Sequence, residues 1–118
     1  MRNIFPIVVL CLVPGLASPV TASELRLDGA AIAVVLTDHV FAGSDGSRKT
    51  EQIFQKSGAT YYSVDGAQSQ GRWQVRGDQY CSQWPPNEGW SCFDVLRDGA
   101  AITFISASGK RYGVTRAD

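Results

Sequence analysis

The chain is 118 residues long with 11 basic and 11 acidic side chains, which allows one domain and leaves too little for two. A balanced charge excludes the electrostatic footprint that binding to nucleic acid or to an anionic membrane surface requires. The single histidine, His39, means that any Ser-His-Asp or Cys-His catalytic arrangement would have to be built on that one residue.

At the start, Arg2 is a positive n-region, Ile4 to Val13 an apolar h-region, and Val20-Thr21-Ala22 a small-residue cleavage signal. The apolar run is too short to span a bilayer, and Pro14-Gly15 interrupts it. Leu10, rather than a small residue, precedes Cys11, so a lipoprotein signal is not expected. Residues 1–22 therefore read as a secretory signal peptide and residues 23–118 as a single disulfide-bonded β domain, periplasmic or secreted, with no transmembrane segment in the mature chain. Removing 22 of 118 residues leaves 96, with ten basic and eleven acidic side chains and a formal charge of −1. Cleavage also removes Cys11 and leaves Cys81 and Cys92 as a pair in an oxidising compartment. With His39 alone beside them, no zinc site is expected.

The first element of the mature part is a short helix after Asp28. Asp28 is a natural N-cap, and Ile32, Val35 and Leu36 recur at helical spacing, although the β-branched content leaves an edge strand as the alternative. From Phe41 onward, turn signals recur at short intervals: Ser44-Asp45-Gly46, Ser57-Gly58, Asp65-Gly66, Gly77-Asp78, Pro85 to Gly89, Asp98-Gly99 and Ala107-Ser108-Gly109. The segments between them are rich in Val, Ile, Thr, Tyr, Phe and Trp, as an antiparallel meander requires.

The register of that meander can be tested, because a slip of one residue sends every side chain to the other face. A two-residue turn at Gly77-Asp78 pairs Val75 with Tyr80 and Trp73 with Ser82. A four-residue loop over Pro85–Glu88 pairs Tyr80 with Phe93 and Cys81 with Cys92, within disulfide range. A two-residue turn at Asp98-Gly99 pairs Val95 with Ile102 and Phe93 with Phe104. A three-residue loop at Ala107-Ser108-Gly109 pairs Phe104 with Tyr112 and Ile102 with Val114. One apolar stripe results, running from Trp73 and Val75 through Tyr80, Phe93, Val95, Ile102 and Phe104 to Tyr112 and Val114, with the cysteines on the opposite face. The expected fold is thus mainly all-β: seven to eight antiparallel strands curled into a small barrel or half-barrel, with one short N-terminal helix plugging an end.

Chemistry-bearing patterns are sparse. Asp45, Asp65, Asp78 and Asp98 sit beside glycine in turns, where a carboxylate caps its own backbone instead of pairing for general acid–base work. No phosphate loop or EF-hand spacing occurs. No catalytic residue, metal site or cofactor is expected. The least ordinary segment is Trp84-Pro85-Pro86-Asn87-Glu88-Gly89-Trp90, a loop flanked by two tryptophans and pinned by the disulfide. A pre-ordered loop presenting aromatics suits recognition, so Trp84, Pro85, Pro86 and Trp90 form a candidate binding surface. The competing reading is structural: Trp84 caps the end of the stripe and Trp90 packs over the disulfide.

Two resemblances follow from these residues. The pattern Gly71-x-Trp73-x-Val75-x-Gly77-Asp78-x-Tyr80-Cys81-x-x-Trp84-Pro85-Pro86, then Trp90-x-Cys92-Phe93-x-Val95-x-x-Asp98-Gly99, resembles a family of small exported bacterial proteins of unknown function. Leu27-Asp28-Gly29-Ala30 and the helix after it are similar to that family's entry segment. This resemblance implies a secreted β-fold with a paired cysteine. Separately, Ser57-Gly58-Ala59-Thr60-Tyr61 is similar to the Ser-Gly-x-x-Tyr loop of bacterial inhibitors of c-type lysozyme, small disulfide-bonded β-barrels that insert that loop into the enzyme's cleft. It implies an alternative, inhibitor-type site at Ser57, Gly58 and Tyr61. The functional expectation is a non-catalytic binding or envelope-interaction module of the periplasm, its partner an envelope protein or a small apolar ligand. The alternatives are a lysozyme-inhibitor-like protein and a small secreted hydrolase.

Overall fold

A computed structural model of the protein describes residues 24–118, and the expected signal peptide lies outside them. In chain order the elements are β1 (Leu25–Arg26), α1 (Gly29–Leu36), β2 (Val40–Asp45), β3 (Arg48–Phe54), β4 (Ala59–Val64), β5 (Ala67–Arg76), β6 (Gln79–Gln83), β7 (Trp90–Asp98), β8 (Ala101–Ile105) and β9 (Arg111–Arg116). Strands β2 to β9 pair antiparallel in sequence, and β9 returns to β2, so the meander closes into an eight-stranded barrel. Closure leaves no open edge around the barrel. Beyond Gln79, where β6 begins, the second half of β7 would be uncovered on that side. There β1 adds Leu25 opposite Arg97 and Arg26 opposite Leu96.

The helix forms where expected. Asp28 caps it by accepting the Ala31 amide at 2.9 Å, and Thr37 ends it in extended backbone. Its β-branched residues are tolerated because Ile32 and Leu36 are fully buried, so that tertiary packing outweighs propensity. The Gly29 amide donates to Asp78 Oδ1 at 2.8 Å, which ties the helix start to the β5–β6 turn. A Cβ at Gly29 would lie 2.2 Å from the Gly77 carbonyl oxygen, so only glycine permits this approach. Leu27, Ile32 and Leu36 thereby close one end of the barrel over Phe41, Phe54, Trp73, Val95 and Ile102.

Three of the four hairpin registers are as the turns predict: Val75 opposes Tyr80, Cys81 opposes Cys92, and Phe104 opposes Tyr112. The fourth is shifted by two. Asp98 pairs with Ala101 and Val95 with Phe104, so the β7–β8 turn is Gly99-Ala100 and not Asp98-Gly99. Gly99 has φ +60° and takes the first turn position, which extends β7 by one residue. A shift of two preserves the alternation, so Val95, Ile102 and Phe104 still point inward and are buried. Of the predicted stripe only Tyr112 is exposed, at 44%, because it stands at the open end.

The seam that closes the barrel is the shortest of its eight. Between β2 and β9 only Phe41 with Arg116 and Ala42 with Thr115 are paired. Asp118 extends it: its carboxylate accepts from Arg116 Nε at 2.8 Å, the Val40 amide at 3.0 Å and His39 Nδ1 at 3.3 Å. These contacts, Arg116 first and then the Val40 amide, hold the Asp118 carboxyl down to about 2. A carboxyl lowered on folding stabilises fully above its ordinary value and loses that contribution as pH falls through the folded one. The Val40 amide should therefore keep a constant hydrogen-exchange protection factor from pH 7 to 5 and lose protection as pH approaches 2. Asp118→Asn should show the lower protection at every pH; an unchanged factor in that variant would mean that Asp118 does not clasp the seam.

Candidate functional site

At the end opposite the helix the barrel is not filled. Its inward positions there are Thr50 and Gln52 on β3, Tyr62 on β4, Ser82 on β6 with Trp84 just beyond it, Phe93 on β7, Phe104 on β8 and Tyr112 on β9. Together they line a cup of about 410 Å³. Two glycines shape it. A Cβ on Gly71 would meet the Trp84 ring at 2.6 Å, so the missing side chain is what lets that indole lie across β5. On β2, a Cβ at Gly43 would come 3.2 Å from both Thr50 Oγ1 and Val114 Cγ1, and glycine leaves that volume open.

The aromatic rings are arranged as walls and floor. Tyr62 meets Trp84 edge to face at 6.2 Å, and Phe93 meets Tyr112 in the same way at 6.1 Å. Below them Tyr80 packs on Phe93 at 5.7 Å and on Phe104 at 5.1 Å. Tyr80 is 4% exposed, and burial raises its phenol pKa against the opposing hydrogen bonds from Ser82 and Gln52, so it is a neutral hydroxyl at physiological pH. Gln52 Nε2 donates to Thr60 Oγ1 at 3.0 Å and to Tyr80 Oη at 3.3 Å, and Trp84 Nε1 donates to Ser82 Oγ at 3.2 Å. These bonds tie three of the lining strands, β3, β4 and β6, together and set the side-chain rotamers before any ligand arrives.

The predicted Trp loop is divided between two faces. Trp84 joins the cup, and Pro85 and Pro86 are exposed beyond it. Trp90 lies on the outer face, opposite Gln83, with the Arg76 guanidinium 4.8 Å from its ring centre. It shares an outer groove, also of about 410 Å³, with Ser57, Gly58, Gln70, Arg72 and Gln74. Tyr61 is at an outward position of β4 opposite Gln70, beside that groove. So the structure separates the two tryptophans and brings Trp90 toward the Ser57-Gly58 turn. The Cys81–Cys92 bridge forms, on the outer face at the base of the hairpin that carries Trp84.

Thr50, Gln52, Thr60 and Tyr62 were not singled out by sequence. The Asp65-Gly66 turn contains the missing step: it pairs Val64 with Ala67 and hence Thr60 with Gly71, which shares the inward parity of Trp73. His39 lies at the other end of the barrel with Asp118 as its partner. Among the described residues no cluster of three His, Cys, Asp or Glu side chains could hold a metal, and no helix is long and apolar enough to cross a membrane. No protein-family model, curated protein or solved structure matches the chain.

Proposed function

We propose that this is a non-catalytic binding module of the periplasm or of the secreted fraction, which holds a small, flat and mainly apolar ligand in the open end of its barrel. The observation that carries the reading is the cup itself: aromatic walls and floor around about 410 Å³, with a few polar groups converging from Gln52, Ser82 and Tyr80. Concave, largely apolar sites with few placed polar groups are where small ligands bind, and barrel mouths are a common location. The disulfide and the N-terminal leader pattern support an oxidising compartment. The lysozyme-inhibitor alternative is favoured by one observation, that Ser57 is exposed beside a groove it shares with Trp90.

Titration with the neutral apolar dye N-phenyl-1-naphthylamine separates the two. Saturable binding is expected, weakened at least about fivefold in Trp84→Ala and in Tyr62→Ala, as loss of an aromatic contact implies, and unchanged in Trp90→Ala and Ser57→Ala. Inhibition of c-type lysozyme by the wild type that vanishes in Ser57→Ala, with no dye binding, would transfer the function to the outer groove.

A further inference from the structure

We propose that the cup selects an uncharged planar aromatic molecule bearing a hydroxyl group, and that Gln52 and Thr50 read that hydroxyl; this rests on the cup being a ligand site. The rings of Tyr62, Trp84, Phe93 and Phe104 favour a flat, polarisable ligand. Among the described residues the only formally charged side chain in the lining is Arg111 at the rim, and its guanidinium is already engaged by the Glu24 carboxylate at 2.9 and 3.1 Å. A charged ligand entering the cup would therefore be desolvated with no free counter-charge, which is costly.

The polar groups then specify the substituent. The Thr60 hydroxyl donates to the Ile53 carbonyl at 2.8 Å, so its oxygen is left to accept from Gln52, and this fixes which end of the Gln52 amide faces Thr60. Both Nε2 hydrogens are then used, on Thr60 and on Tyr80. Gln52 Oε1 has no hydrogen-bond partner among the described residues. Neither has the Thr50 hydroxyl, although Thr50 is only 6% exposed and lines the cup. Thr50 is buried and Gln52 half-buried, and polar groups so placed are ordinarily paired by protein or by water, so a ligand that displaces water from the cup must satisfy both. Thr50 and Gln52 are two apart on β3 and share its inner face. One offers an acceptor and the other a hydroxyl; a ligand hydroxyl donates to the first and accepts from the second.

The test compares 2-naphthol, 2-methoxynaphthalene, naphthalene and 2-naphthoate by calorimetric or fluorescence titration at pH 7. 2-Naphthol should bind about tenfold more tightly than 2-methoxynaphthalene, which keeps the ring and oxygen but has lost the donor. Naphthoate should bind more weakly than either. In Gln52→Leu and in Thr50→Val the preference for 2-naphthol over naphthalene, taken within each variant so that any change in the cup itself cancels, should shrink by at least about threefold, and in Gln52→Leu the preference over 2-methoxynaphthalene should fall to about threefold or less. Thr50→Val is close to isosteric and carries the test should Gln52→Leu fail to fold. Equal binding of naphthol and methoxynaphthalene, a preference that persists in the variants, or tightest binding of naphthoate would overturn the inference while leaving the cup a ligand site. No binding of any of the four would overturn the cup reading itself.

Discussion

Phe54→Ala should destabilise the domain by roughly 3–5 kcal/mol, the cost typical of deleting a fully buried phenylalanine. Phe54 has no exposed surface and stands at the centre of the aromatic core, with ring centres of Phe41 at 5.9 Å, Trp73 at 5.5 Å, Tyr80 at 5.4 Å and Phe104 at 6.2 Å. Those neighbours come from β2, β5, β6 and β8, so the cavity left behind is bounded by strands from around the whole barrel and cannot collapse by moving one of them. Domains of this size have about 5–15 kcal/mol in hand, so the melting temperature should fall by on the order of 20 °C. Gln70→Ala, an exposed change on the outer face of β5, should cost less than about 0.5 kcal/mol. Comparable losses in the two variants would mean that Phe54 is not at the core of a closed barrel.

Replacing Cys81 and Cys92 together by alanine should cost about 3 kcal/mol. The bridge spans a sequence separation of 11, and constraining a loop of that size in the unfolded chain accounts for nearly all of that figure. Cys81 is also completely buried although it faces away from the core, so shortening it adds a packing loss. The hairpin's register does not depend on the bond, because Tyr80 with Phe93 and Gln83 with Trp90 are paired on either side of it. The variant should therefore fold, melt at a lower temperature, and lie slightly below wild type measured under reducing conditions, which keeps the Cys81 side chain in place. A difference below about 1 kcal/mol would show that the backbone pairing alone holds β6 against β7.

What could be read from sequence here was governed by turn chemistry. Where a glycine or a fixed-length loop defines the hairpin, as at Gly77-Asp78 or Ala107-Ser108-Gly109, the partner residues follow and so does the inward stripe. Gly99 shows the limit: adjacent turn-forming residues leave open which two occupy the turn, and alternation is blind to a slip of two. The cup was illegible for a different reason. Its polar half, Thr50, Gln52 and Ser82, carries no hydrophobic signal, and these side chains become a site only because β3 and β6 turn the same face inward around a closed barrel. The Trp loop is divided for a geometric reason. Trp84 and Trp90 flank one loop, yet Trp84 lies inward beyond Ser82 while Trp90 shares the outward parity of Cys92.

That opposite placement supplies the most direct test of the cup as a ligand site, because each of the three tryptophans has an indole N–H with its own surroundings. Trp84 Nε1 donates to Ser82 in the cup, Trp73 Nε1 donates to the Gln55 carbonyl, and Trp90 is on the outer face under Arg76. In a nitrogen-15 NMR titration with N-phenyl-1-naphthylamine, the Trp84 indole resonance should shift together with the amides of Ser82 and Tyr112, while those of Trp73 and Trp90 stay in place. Shifts at Trp90 and Ser57 with Trp84 unmoved, or no shift at any indole in the presence of excess dye, would contradict it.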